Sequence, residues 1–137
     1  MILNPKILAS INVVLQIILM STVLVAAYQS RIKKQFIKHC RIVKWAIIGQ
    51  VLSLLFVMLP AIAVYLKTQS AGLRVEVIVH ASLGVVTLFL WVLISLAVAR
   101  KIRLPGKRSW YMRVTLVVWA IAFMLGLYIY LRLYWLG

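Results

Sequence analysis

Four long apolar runs limit what this chain can fold into. They cover roughly residues 7–29, 44–66, 76–99 and 113–134. At about 1.5 Å per helical residue, each run is long enough to cross the roughly 30 Å hydrocarbon core of a bilayer. Hydrocarbon offers no hydrogen-bond partners to the backbone, and the runs are far longer than the strands of a membrane barrel, so we expect helices.

The runs predict an all-α membrane protein in which four transmembrane helices form an up-down bundle. A single domain is expected to span residues 1–137. Composition agrees, because 66% of the residues are hydrophobic and too few polar groups remain to cover a soluble domain of this size. We therefore expect a multi-pass protein of the cell membrane.

Positive charge is concentrated between the runs. The chain has 16 Lys and Arg residues against one acid, for a net charge of +15. Six basic residues lie between the first two runs and six between the last two, so the positive-inside rule places two basic loops in the cytoplasm and both chain ends outside. Lipids of the anionic inner leaflet are the expected partners, in preference to nucleic acid. The twelve residues are Arg31, Lys33, Lys34, Lys38, Arg41, Lys44, Arg100, Lys101, Arg103, Lys107, Arg108 and Arg113.

Polar and small residues of the third run share one helical face. Their spacings of four, four, three, four and four match the helical period, while the other faces are apolar. We expect this stripe to face the bundle interior, with its glycine allowing close approach of a neighbouring backbone. The stripe consists of Glu76, His80, Gly84, Thr87, Trp91 and Ser95.

The stripe contains the best candidate for a functional residue. His80 is the only histidine in a predicted span, and Glu76, one turn away, is the only acid of the chain. Intramembrane ionisable residues are costly and frequently functional. A neutral imidazole can ligate haem iron or another metal through one nitrogen while a hydrogen bond, here with Glu76, orients the other. Two alternatives stay open: proton handling, and a structural role in which Glu76 pairs with Arg74 or Lys67 and His80 bonds a neighbouring helix.

Other spans offer polar residues at a depth similar to that of His80. Asn12 and Gln16 in the first run and Tyr130 in the last are candidate neighbours of the imidazole. Hydrogen bonding between helices is the simpler role for each of them.

Adjacent soft ligands occur in the first basic loop. His39 and Cys40 are weaker candidates for binding copper or haem iron, because the neighbouring cations oppose a metal ion. His39 is expected at the inner boundary and His80 near the outer one. The two imidazoles are therefore not expected to share one haem within a single chain.

Two further features concern helix geometry and packing. Pro60 is expected to kink the second span, because it lacks a backbone N–H and frees a carbonyl one turn back. One face of the last run is expected to form a packing seam. That seam consists of Thr115, Trp119, Ala122, Gly126 and Tyr130.

Three segments between Lys34 and the C-terminus carry a resemblance to a known family. The chain resembles the four-helix membrane family of CtaM/YozB-like proteins, which is associated with assembly of haem–copper cytochrome oxidases. The spacing of Trp, Gly and Tyr in the last helix is its most specific part. The segments are Lys38-His39-Cys40-Arg41, His80-Ala81-Ser82-Leu83-Gly84, and Arg113-Val114-Thr115-Leu116-Val117-Val118-Trp119 with Gly126-Leu127-Tyr128-Ile129-Tyr130-Leu131.

The resemblance implies a non-enzymatic accessory or assembly protein of a respiratory redox complex. Its partners would be other membrane subunits, and haem, or with less support copper, would be contacted at His80. Lys107-Arg108 stand where the family has a further histidine, so a site built from several histidines is not implied. The alternatives are a small haem b-binding electron-transfer subunit with His80 as axial ligand, and a purely structural subunit of a membrane enzyme complex.

Overall fold

The computed structural model describes residues 4–68 and 71–136, and over these ranges it contains helices and connectors but no strand. A π-helical turn, Leu54–Met58, joins the second α-helix to the third, and a 3-10 turn, Ala71–Leu73, precedes the fourth. The α-helices are α1 (Pro5–Arg31), α2 (Phe36–Ser53), α3 (Leu59–Thr68), α4 (Arg74–Val98) and α5 (Arg108–Tyr134).

Four helical segments are long and apolar enough to cross a membrane. They are Lys6–Arg31, Phe36–Tyr65, Arg74–Val98 and Arg108–Tyr134, with 25 to 30 residues each. The second segment runs through α2, the π turn and most of α3. The predicted all-α fold with four span-length helices is confirmed, as is a multi-pass membrane protein at the level of length and composition.

The chain divides into two compact units, Met1–Ser70 and Ala71–Gly137. In the first, α1 packs against α2, the π turn and α3. In the second, α4 packs against α5. We call these units the first and second hairpin. The single domain predicted over residues 1–137 stays a prediction.

The connectors inside the hairpins are shorter than the sequence indicated. Residues 32–35 join α1 to α2, and residues 99–107 join α4 to α5. Lys34 and Arg100 adopt left-handed backbone angles, with φ of 50° and 58°. Part of each predicted basic loop is helical instead, since α2 begins at Phe36 and α5 at Arg108. Lys and Arg have good helix propensity and are compatible with these extensions.

A π turn directly precedes the segment that contains Pro60. The N–H of Leu59 donates to the carbonyl of Leu54, five residues earlier. In a regular α-helix the Pro60 ring would press on the Phe56 carbonyl and could not donate a hydrogen bond to it. A wider π turn offers one way to relieve that contact. The kink predicted in the second span stays a prediction.

Candidate functional site

His80 is anchored to the neighbouring helix of its hairpin. This half-buried side chain of α4 places Nδ1 2.8 Å from the carbonyl oxygen of Ala122 in α5. A carbonyl can only accept, so Nδ1 must carry the proton. In a neutral imidazole the free electron pair then belongs to Nε2, which is the atom that can bind a metal or accept a proton.

Gly126 gives the imidazole room to lie against α5. A Cβ atom at this position would be 2.6 Å from Cε1 of His80, and 3.2 and 3.3 Å from its two ring nitrogens. Gly84 makes no such close approach within the described part of the second hairpin, where a Cβ would meet no heavy atom inside 4 Å. The small residue that permits close packing is on the facing helix.

Glu76 faces a cation of α5. Its Oε1 is 3.9 Å from Nη1 of Arg132, and the two side chains are 31% and 49% exposed. Nη1 of Arg132 also donates to the Tyr128 hydroxyl at 2.7 Å. The hydrogen bond from Nδ1 of His80 is therefore accepted by the Ala122 carbonyl and not by Glu76. Glu76 is paired with Arg132 in place of the expected Arg74 or Lys67. The reason is that α5 packs directly against this face and supplies both partners.

The rest of the stripe on α4 is buried only in part. Thr87 and Trp91 are buried, and the Trp91 ring meets Trp119 of α5 edge to face with centroids 5.0 Å apart. Ser95 is exposed, which contradicts its expected interior position. Ala97 takes the buried place near that end of α4.

The predicted seam on α5 is confirmed over most of its length. Thr115, Trp119 and Ala122 are buried, and Gly126 touches His80. Tyr130 is half-buried, with its ring centroid 5.5 Å from that of Tyr134. Its role beside His80 stays a prediction.

Asn12 and Gln16 take part in a polar cluster of the first hairpin. The hydroxyl of Ser53 in α2 donates to Oδ1 of Asn12 at 2.9 Å and accepts from Nε2 of Gln16 at 3.4 Å. Both contacts join α1 to α2, which is the structural role considered for these residues. Their predicted position beside His80 is not tested within either hairpin.

His39 repeats the hydrogen bond of His80 in the first hairpin. Its Nδ1 lies 2.8 Å from the carbonyl oxygen of Ala26 in α1, and Ala26 is fully buried. Cys40 is exposed on α2. This arrangement supports an anchoring role for His39 and brings no further ligand to Cys40.

The sequence placed Ala122 and Gly126 in the packing seam but did not reveal their roles beside His80. Ala122 acts through its backbone carbonyl, which no side-chain pattern reveals. Gly126 was identified as part of the seam, but its contact with His80 depends on how α4 and α5 are aligned. That alignment could have been sought by pairing the polar stripe of α4 with the seam of α5.

Residues 4–68 and 71–136 contain no group of three His, Cys, Asp or Glu side chains that could hold a metal ion. Comparison with family models, curated proteins and solved structures finds no match to this chain. The fold and the site define an all-α protein with four potential membrane spans and a histidine anchored inside one of them.

Proposed function

We propose that this chain is an integral membrane accessory protein that serves the assembly of a haem–copper redox complex and contacts haem or copper through His80. The main support is the hydrogen bond from Nδ1 of His80 to the Ala122 carbonyl, which leaves Nε2 as electron-pair donor. The link to redox complexes rests on the family resemblance of the segments around His39, His80 and Trp119. No catalytic activity of its own is proposed.

The proposed role of the chain's own residues is to hold a single nitrogen ligand. The Ala122 carbonyl keeps the proton on Nδ1 and limits rotation of the ring, while the packed α4–α5 pair sets its depth. A bound haem iron or copper ion would be the Lewis acid that accepts the electron pair of Nε2. Its other ligands would come from the cofactor or from a partner protein.

The proposed orientation places the α1–α2 and α4–α5 connectors in the cytoplasm and both chain ends outside. It is supported by the basic residues that flank these connectors. The same residues are proposed to contact anionic lipid headgroups, at about 1 kcal/mol per basic side chain near the surface. Other membrane subunits would bind the apolar helix faces.

A hemin titration of the purified protein tests the ligand role. The wild-type chain should develop a b-type band in the reduced-minus-oxidised spectrum, and His80→Ala should lose it. His39→Ala is the matched control and should retain the band, because His80 is the proposed ligand and His39 lies in the other hairpin. Absence of a band in the folded wild-type protein, or its persistence in His80→Ala, would refute haem contact at His80.

The assembly role is tested separately in cells. Deletion of the gene should lower cytochrome oxidase activity, while the purified mature oxidase should lack this chain. Stoichiometric copurification with the mature enzyme would contradict an assembly role and favour a permanent subunit. Unchanged oxidase activity after deletion would count against both.

One observation favours a second candidate, a purely structural subunit. His39 and His80 make the same bond to a buried alanine carbonyl, as expected if imidazoles simply connect helices. His80→Asn separates the two roles, because the Asn amide can donate to the Ala122 carbonyl but has no counterpart of Nε2. Oxidase assembly in cells carrying His80→Asn should be normal for a structural role and lost for a ligand role.

A further inference from the structure

The imidazole of His80 is confined on two sides by α5. Its Nδ1 is fixed by the Ala122 carbonyl at 2.8 Å, and its Cε1 lies over the backbone of Gly126, one turn further along the same helix. Cε1 is bonded to both ring nitrogens, so the contact at Gly126 lies between the anchored nitrogen and the free one. The ring cannot turn about its bond to Cβ without losing the hydrogen bond.

Glycine is required at position 126 by this contact. A methyl group would lie 2.6 Å from a rigid aromatic atom, a distance that real Cβ atoms essentially never show. At Gly49, by contrast, a Cβ would meet the flexible end of Leu19 at 3.0 Å. Glycine inside a helix costs up to about 1 kcal/mol relative to alanine. Its presence at 126 therefore has a specific reason, which is the space taken by the imidazole.

We infer that Gly126 is a positioning residue, which together with the Ala122 carbonyl holds His80 in the Nδ1–H tautomer. Nε2 is then the imidazole nitrogen of the second hairpin that can donate an electron pair to a metal. This inference rests on the proposed function insofar as the donor serves a metal centre. The tautomer itself depends only on contacts between α4 and α5.

The tautomer can be measured without any cofactor. In full-length protein labelled with ¹⁵N-histidine, the wild-type His80 should show a protonated Nδ1 and an unprotonated Nε2. Gly126→Ala should lose this signature, because the new methyl group displaces the ring from the Ala122 carbonyl. Gly84→Ala is the matched control in the same hairpin and should keep it, since a Cβ there has open space.

A hemin titration supplies the second readout. Gly126→Ala should weaken hemin binding about 10- to 100-fold, the range found when residues that orient a metal ligand are changed. Gly84→Ala should bind as the wild type does. If the tautomer signature is lost in Gly126→Ala while wild-type protein binds no hemin, the positioning of His80 stands and the haem proposal fails.

Two results would overturn the inference. One is a wild-type His80 that carries its proton on Nε2. The other is a Gly126→Ala protein with unchanged tautomer and unchanged hemin affinity. Should Gly126→Ala fail to fold, the double variant His80→Ala/Gly126→Ala decides, because removal of the ring frees the space for the methyl group. A double variant as poorly folded as Gly126→Ala would contradict the contact.

Discussion

Individual side chains in both hairpins bond to the neighbouring helix at buried or half-buried positions. His39 and His80 each bond a backbone carbonyl of the neighbouring helix. The hydroxyl of Ser53 bonds the side chains of Asn12 and Gln16. Hydrogen bonds between helices in membranes contribute about 0.6–2 kcal/mol each. They fix which helix faces meet, and therefore which atoms of a polar residue remain available.

The sequence identified these residues but not their partners. The periodicity of the third run predicted a polar stripe containing His80, and Thr87 and Trp91 are buried as expected. The partner of the imidazole could not be predicted, because every residue has a carbonyl and only helix alignment selects that of Ala122. The exposure of Ser95 was missed for a related reason: periodicity alone does not show how far along α4 the contact with α5 follows the stripe.

Ser53 is expected to be the most important polar residue of the first hairpin. Ser53→Ala removes the hydroxyl that bonds both Asn12 and Gln16, so the free energy of unfolding should fall by about 1 kcal/mol. The measurement is an unfolding titration with sodium dodecyl sulfate in mixed micelles. Ser82→Ala is the matched control, because Ser82 is exposed and its hydroxyl bonds only the Ile78 carbonyl of its own helix.

The comparison of these two serines separates an interhelical contact from a local one. Ser82→Ala should change the free energy of unfolding by much less than Ser53→Ala does. Equal effects of the two substitutions would contradict a role for Ser53 in joining α1 to α2.

At the level of helices, the sequence predicted how many there are better than where they end. The four spans are present, but α2 begins at Phe36 and α5 at Arg108, each several residues before the apolar run. Hydropathy marks the part of a helix that suits hydrocarbon, whereas helix formation depends on backbone hydrogen bonds and continues through Lys and Arg. The predicted basic loops are therefore helix ends as much as loops.

Pro60 is expected to cause the π turn that precedes it. Pro60→Ala restores the missing N–H and removes the ring, so residues 54–58 should adopt regular α-helical hydrogen bonds. The change from a π-helical to an α-helical hydrogen-bond pattern keeps every residue but rotates the following segment relative to α2. The rotation is about 100°, the angle between successive helical residues. Met58, buried at the end of the turn, should then lose its buried position.

Backbone NMR assignments of residues 50–64 would measure this change, since amide shifts distinguish the two hydrogen-bond patterns. Pro105→Ala, in the connector between α4 and α5, should leave residues 54–58 unchanged. A π turn that persists in Pro60→Ala would show that packing around Met58, and not the proline ring, imposes it.

For the whole molecule, the distribution of charge predicts the orientation in the membrane. Twelve of the 16 basic residues lie in or next to the two connectors at 32–35 and 99–107, six at each. Cytoplasmic loops of membrane proteins carry such an excess of Lys and Arg. The orientation follows from this rule and from the order of the four spans along the chain.

Cys40 provides a direct test of the orientation, because it is exposed on α2 next to Lys38 and Arg41 and is the only cysteine of the chain. A membrane-impermeant maleimide should label it in inside-out vesicles but not in intact spheroplasts. The reverse pattern is expected for Cys40→Ser/Leu136→Cys, since Leu136 is exposed beyond the end of α5 and belongs on the opposite side. Labelling of Cys40 in spheroplasts would reverse the assignment of the basic connectors to the cytoplasm. It would also place their positive charge against the outer leaflet, where the attraction to anionic inner-leaflet lipids could not stabilise them.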